Sequence, residues 1–296
     1  MKIHEVFQHK TVLSFEVFPP KKSTSIVSIY NTLDDLKDLA PDFISVTFGA
    51  GGSVSQQTTI PIAKTIQREN GVSSVAPLPS IHLSKNDVLQ LLDKLKQAGN
   101  ENILALRVDL PTDVPIKQDF KYARDLVSYI KEQGDFSILA ACYPESHAES
   151  QNIVADILHL KDKVNAGVDQ LVSQLFFDNT LFYQFLERCH IAGIDVPIEA
   201  GIMPVVNKRQ IERIVKLSKV TLPTKFIRMM ERYEHCPEAM RDAGIAYAVN
   251  QIVDLVSEGV DGIHLYTMNN PLVAKRICQA TQTLFKDSIR PLQATG

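Results

Sequence analysis

The 296-residue sequence predicts an α/β fold: a single (β/α)8 TIM barrel over residues 1–296, with extra helices before the last strand. Three observations predict it. Short apolar runs alternate with amphipathic segments along the whole chain, the pattern of parallel strands joined by right-handed helical crossovers. Eight such runs occur. No low-complexity linker or charge run divides them, and one closed barrel commonly reaches this length. A doubly wound sheet is the alternative, but its glycine signature is missing. The loop "FGAGGSVS" has Gly49, Gly51 and Gly52, then Val54 where a third glycine belongs.

The strands are expected at Val12–Phe18, Phe43–Phe48, Ser74–Ile81, Ile103–Leu110, Ser137–Tyr143, Gln170–Phe177, Val196–Met203 and Gly262–Thr267. Two prolines, Pro19 and Pro20, stop the first. Between the strands, apolar residues recur at spacings of three and four: Ile29, Leu33, Leu36 and Leu39; Val88, Leu91, Leu92 and Leu95; Ile153, Ile157, Leu160 and Val164; Ile245, Val249, Ile252 and Val256. Ser84 and Asp178 stand where helix N-caps belong. Residues 207–260 are too long for one helix and contain Pro223 and Pro237, so two or three helices are expected there.

Composition narrows the function classes. The chain is 45% hydrophobic and 22% charged, with a net charge of −3, which gives no electrostatic case for nucleic acid or an anionic membrane. The N-terminus lacks the apolar core of a secretory signal, and no run of about 18 apolar residues exists to span a bilayer. Cys142, Cys189, Cys236 and Cys278 lie far apart, as thiols of a cytoplasmic protein would. No spacing of histidine and cysteine supplies the paired ligands of a zinc site, and no metal is expected. GxSxG and Walker A motifs are absent, and no predicted strand carries the lysine of a Schiff-base aldolase.

Alternate strand residues point into a barrel, and catalytic groups gather where strands end. In the first strand Ser14, Glu16 and Phe18 share a face, opposite the all-apolar Leu13, Phe15 and Val17, so Glu16 is expected to point inward near the mouth. In the fourth, Ala105, Arg107 and Asp109 are read as the inward set. Val172, Gln174 and Phe176 form the corresponding set of the sixth strand. The fifth strand ends at Tyr143, and the eighth offers His264, Tyr266 and Met268. Any one of these could be a polar plug in the barrel. Five strands converging on one mouth favour an active site.

The chain resembles the flavin-dependent 5,10-methylenetetrahydrofolate reductases in their short bacterial form. The resemblance runs nearly end to end: SFEVFPPK at 14–21, FISVTFGA at 43–50, ILALRVDLP at 103–111, ACYPESH at 141–147, LKDKVNAGVDQLVSQLFFD at 160–178, AGIMPV at 200–205 and HLYTMNN at 264–270. It implies FAD at the barrel mouth, reduced by NADH or NADPH and reoxidised by methylenetetrahydrofolate in a second half-reaction. It also implies a homo-oligomer. Glu16 matches the family's general acid, which protonates the departing nitrogen as the folate ring opens. Burial of a carboxyl in apolar surroundings favours its neutral, donating form. Asp109 matches an aspartate beside the flavin ring, and by its charge would tune the flavin's potential. Thr47, Arg107, Tyr143, His147, Asp156 and Lys163, with Asp109, carry the implied FAD contacts. Gln174, Gln210 and Tyr266, with Glu16, carry the substrate side. No basic cluster for a 2′-phosphate is evident, which favours NADH.

Four positions depart from the family pattern. Leu78 replaces a histidine, Val108 the glycine of R-G-D, Asp162 a basic residue and Asn270 an arginine. They keep two other readings open: a folate reductase with weak or no FAD that transfers hydride directly, and a folate-binding protein without turnover.

Overall fold

Closure of the sheet sets the architecture. In a computed structural model that describes residues 1–20, 25–47, 56–80, 83–106, 119–147, 150–218 and 220–286, eight parallel strands pair in chain order and the last returns to the first. They are β1 (Val12–Val17), β2 (Phe43–Val46), β3 (Ser73–Pro79), β4 (Asn102–Leu106), β5 (Ser137–Cys142), β6 (Gln170–Ser173), β7 (Ile198–Ile202) and β8 (Gly262–Tyr266). The helices that follow β1 to β6 are α1 (Val27–Lys37), α2 (Gln56–Arg68), α3 (Lys85–Ala98), α4 (Ala123–Gln133), α5 (Ile153–Asn165) and α6 (Asn179–Ile191). Three helices, α7 (Lys208–Ser218), α8 (Thr224–Tyr233) and α9 (Pro237–Ser257), fill the long stretch before β8, as its length and prolines predict. The last, α10 (Pro271–Lys286), follows β8.

The predicted caps form. Ser84 and Asp87 make a reciprocal capping box at α3, and Asp178 accepts from Thr180 N–H at 2.9 Å at the start of α6. The expected stripes face the sheet: Ile29, Leu33 and Leu36 on α1, and Val88, Leu91, Leu92 and Leu95 on α3, are buried.

The closed end of the barrel is held by aspartates set just before even-numbered strands. Asp42 accepts from Leu13 N–H on β1 at 3.0 Å, Asp169 from Ile138 N–H on β5 at 2.7 Å, and Asp261 from Ile198 N–H on β7 at 2.7 Å. Each satisfies a backbone donor at the start of the neighbouring strand and so pins its register. At β4 the device changes: Asn102 donates to Ser74 O and accepts from Ile3 N–H. Ile3 and Phe7, from a 3₁₀ turn at Ile3–Gln8, then close this end over Val12, Phe43, Val75, Leu104, Leu139 and Val172.

That interior corrects one expectation. In β4 it is Leu104 and Leu106 that face inward, while Ile103 and Ala105 pack under the helices. The register decides it: Leu104 lies beside Pro77 on β3 and Leu139 on β5. A barrel's centre is itself an apolar core, so an apolar set does not mark the helix side. Phe176 also departs from its expected place: it stacks on Phe182 at 4.8 Å in the helix layer. Arg107, Val108 and Asp109 lie outside the described residues, as do Lys21, Lys22 and the loop at 48–55.

The extra helices build one wall of the mouth. Phe226 of α8 stacks on Phe177 at 4.6 Å, and Tyr247 of α9 meets Phe226 edge-on. Gly244 lets α9 touch the β7–α7 connection, since a Cβ there would lie 1.8 Å from Val205 O.

Candidate active site

Two adjoining cavities open at the C-terminal ends of the strands. The inner one, about 250 Å³, is walled by Glu16, Ser45, Leu106, Tyr143, Gln174, Met203, His264 and Tyr266 among others. The outer one, about 480 Å³, runs between β4, β5, α4 and α5, and includes Arg124, Tyr143, His147, Asp156, His159 and Lys163. Leu106, Ala141 and Tyr143 line both.

Glu16 is placed by two clamps. Thr267 donates its hydroxyl to Glu16 O at 2.6 Å. The Asn269 amide bonds both backbone groups of Phe18, at 3.0 and 2.7 Å. The carboxylate keeps 22% exposure at the mouth, and its Oε2 lies 3.9 Å from His264 Nε2. Gln174 lines the same cavity, its Oε1 accepting from Leu175 N–H at 3.0 Å. Tyr266 donates to Ser173 O at 2.8 Å, passing over Gly201, where a Cβ would sit 2.8 Å from its ring. Burial holds the Tyr266 hydroxyl well above the usual phenol range.

In the outer cleft, Lys163 reaches down from α5 to donate to Ala141 O at 2.8 Å, and burial depresses its pKa. Tyr143 and His147 meet edge-on at 4.6 Å between ring centres. Asp156 accepts from Ser150 Oγ at 2.5 Å and His147 N–H at 3.3 Å, so it orders the cleft's rim as well as lining it. Cations at one flank and apolar walls elsewhere suit a long, anionic, ring-bearing ligand.

The structure therefore gathers Glu16, Gln174 and Tyr266 in one cavity and Tyr143, His147, Asp156 and Lys163 in the other. It does not bring Gln210 to either lining: Gln210 sits in the first turn of α7, accepting from Val206 N–H at 3.3 Å. Thr47 follows β2, with its N–H on Val17 O at 2.8 Å, and lines neither.

Three of the four departures acquire structural roles. Leu78 is packed in the apolar layer under the helices. Asp162 pairs with Arg124 at 3.0 Å on the surface beside the outer cleft. Asn270 accepts from Val273 N–H at 3.2 Å and so caps α10, with Pro271 at its first position.

One residue was missed at the sequence level. Glu199 of β7 points into the barrel, fully buried, and accepts from Ser14 Oγ at 2.6 Å. The signal was available: "IEAGIM" sets a lone acid in an apolar strand, as "SFEVF" does.

Fold and site define a (β/α)8 barrel with a ligand-sized mouth and an acid at its floor. Comparison with known proteins narrows this. The methylenetetrahydrofolate reductase family profile matches residues 2–282. The 5,10-methylenetetrahydrofolate reductase of Pectobacterium carotovorum is 36% identical over 92% of this chain and 90% of its own, and that of Escherichia coli 35% over 90% and 89%. An Arabidopsis thaliana methylenetetrahydrofolate reductase (NADH) 1 is 33% identical over 88% of this chain but 47% of its own length. Among solved structures, an uncharacterized Clostridium thermocellum protein that binds two copies of 5-methyl-5,6,7,8-tetrahydrofolic acid shares the fold, with TM-score 0.66 at 12% identity over 94% of this chain and 96% of that one. The chain belongs to the methylenetetrahydrofolate reductase family.

Proposed function

We propose that this protein reduces 5,10-methylenetetrahydrofolate to 5-methyltetrahydrofolate, drawing on NADH or NADPH through FAD in two half-reactions at one mouth. The observation that carries the reading is the position of Glu16, lining with Gln174 a cavity that shares the Tyr143 wall with the lysine-bearing cleft. Family membership supports the same reaction.

The donor set fits a flavin dinucleotide. Lys163 and Arg124 offer cationic groups for its diphosphate, and Tyr143 a ring at the junction of the cavities. Asp156 would accept from a ribose or adenine donor. When bound there, FAD would supply the two-electron chemistry that links the nicotinamide to the folate. Thr47, Arg107 and Asp109 are proposed contacts on the sequence match alone.

The chain's own residues then supply position and a proton. Gln174 pairs with the two-sided edge of the pterin. Tyr266, held by Ser173, forms the opposing wall. Glu16 donates a proton to the nitrogen that departs as the five-membered ring opens, which leaves the one-carbon unit as an iminium ready for hydride. A ligand seated over the mouth removes the remaining solvent from Glu16 and strengthens that step.

The visible spectrum of the purified protein tests the reading. A flavin band bleached by anaerobic NADH and restored by methylenetetrahydrofolate is expected. A protein still colourless after incubation with FAD overturns the cofactor assignment. No folate turnover with either nicotinamide overturns the reaction.

A further inference from the structure

We propose that Glu199 is a proton store for Glu16: it passes its proton through the Ser14 hydroxyl and the His264 ring to the acid at the mouth. The proposal rests on the acid role given to Glu16 above.

The geometry is a chain of groups along the barrel axis. Glu199 Oε1 is 2.6 Å from Ser14 Oγ, and Ser14 Oγ is 2.7 Å from His264 Nδ1. On its far side, His264 Nε2 faces Glu16 Oε2 at 3.9 Å. That last gap exceeds a hydrogen bond, but a rotamer change of Glu16 or one bridging water closes it. The room for Glu199 is made by Gly262, where a Cβ would lie 2.9 Å from Glu199 Cγ and 3.2 Å from the Phe7 ring.

The surroundings favour a neutral Glu199. Among the described residues no lysine or arginine faces it, and its one basic neighbour is the His264 ring. From β1 it meets Ser14, with Glu16 beyond, and from β8 His264, with the Tyr266 hydroxyl beyond. Asp42 and Asp261 at the closed end add repulsion. Its Oε2 is buried without a hydrogen-bond partner among the described residues, where a carboxylate would suffer most. Burial accordingly pushes the carboxyl up to about 7.

Protonation of Glu199 orients the chain. The bond that ionised Glu199 accepts from Ser14 then reverses: neutral Glu199 donates to Ser14 Oγ, Ser14 donates to the Nδ1 lone pair, and the ring presents Nε2–H to Glu16. Transfer breaks one O–H bond at Glu199 and makes one at Glu16. Ser14 and His264 each give one proton and receive one, and no electrons move. When product leaves, Glu16 regains a proton from solvent and the same steps run backwards to refill Glu199. The exposed acid thus draws on a proton shielded from bulk pH while ligand covers the mouth.

The test is the pH profile of the folate half-reaction in single turnover, for wild type, Glu199→Gln and Ser14→Ala. Glu199→Gln keeps volume and hydrogen bonding but cannot store a proton; Ser14→Ala keeps the store and cuts the link. Both should slow the folate step about ten-fold or more near pH 6, where Glu199 holds its proton, and the difference from wild type should shrink towards pH 8 as Glu199 ionises. Reduction of the flavin by NADH should not change. Infrared spectroscopy should show a protonated carboxyl band near pH 6 that fades across pH 7 to 8 and is missing in Glu199→Gln. Equal loss at every pH, no loss, or a band that persists in Glu199→Gln overturns the proposal while leaving the function standing. A wild type without folate turnover overturns both.

Discussion

Asn269 substitutes for a strand at the end of β1: its side-chain amide accepts from Phe18 N–H at 3.0 Å and donates to Phe18 O at 2.7 Å. Asn269 itself has φ +52°, a left-handed conformation that asparagine tolerates better than most residues. The β8–α10 connection therefore aims the segment that carries Glu16. Asn269→Ala should cost about 1–3 kcal/mol of stability and lower kcat of folate reduction more than it raises KM. Asn269→Gly, which removes the amide without the backbone strain, should be as slow but less destabilised. Melting curves and steady-state kinetics on both variants check this; normal kcat in either would separate the clamp from the chemistry.

Glu16→Gln keeps shape and removes the transferable proton. Its folate half-reaction should fall by about 10²–10⁴, the usual range of a general acid, with flavin reduction by NADH intact. Stopped-flow traces of the two half-reactions decide it. Equal damage to both would make Glu16 a structural group of the mouth.

Glu199 predicts a pH-dependent stability. Its carboxyl lies at about 7 in the folded protein against an ordinary 4.5. Between those values the folded state holds a proton that the unfolded chain has released, so stability falls as pH rises through the window and levels off above it. The gap corresponds to about 3 kcal/mol. Replacing Glu199 with Gln should flatten the curve, so that its Tm gains on wild type steadily from about pH 5 to pH 8. Parallel curves would show that the carboxyl ionises as freely folded as unfolded.

Lys163 is predicted to hold flavin and not the fold. It is buried against Ala141 O, with its charged form disfavoured by desolvation. Lys163→Met should weaken FAD binding about ten-fold or more, because a buried cation facing a phosphate is worth more than one in water. Stability without FAD should stay within about 1 kcal/mol, since an apolar stem replaces a poorly solvated charge. Flavin titration by fluorescence, beside a melt of the flavin-free protein, separates the two.

Much of this was legible in the residues, and the gaps have physical causes. β1 could be read because its two faces differ in polarity and prolines end it. The N-caps Ser84 and Asp178, the stripe of α3 and the helices of 207–260 follow from local spacing. β4 misled because its faces are both apolar within the described residues, so polarity beyond the strand was used to assign the inward side. Leu104 shows that the register with Pro77 and Leu139 decides the matter. Asn270, which stands where the family has an arginine, caps α10, a role visible only once the helix start is known.

Glu199 marks the boundary between the two kinds of information. The sequence by itself determined the repeated strand–helix plan, the inward face of β1 and the acid upon it, because side-chain alternation and helical spacing are local properties of the chain. Only the tertiary structure decided that Ser14 should meet Glu199, 185 residues away, and His264, 250 residues away. That meeting depends on β8 closing against β1 with Ser14 beside His264. Closure is a property of the whole ring of strands, fixed by eight registers together, and no local pattern carries it.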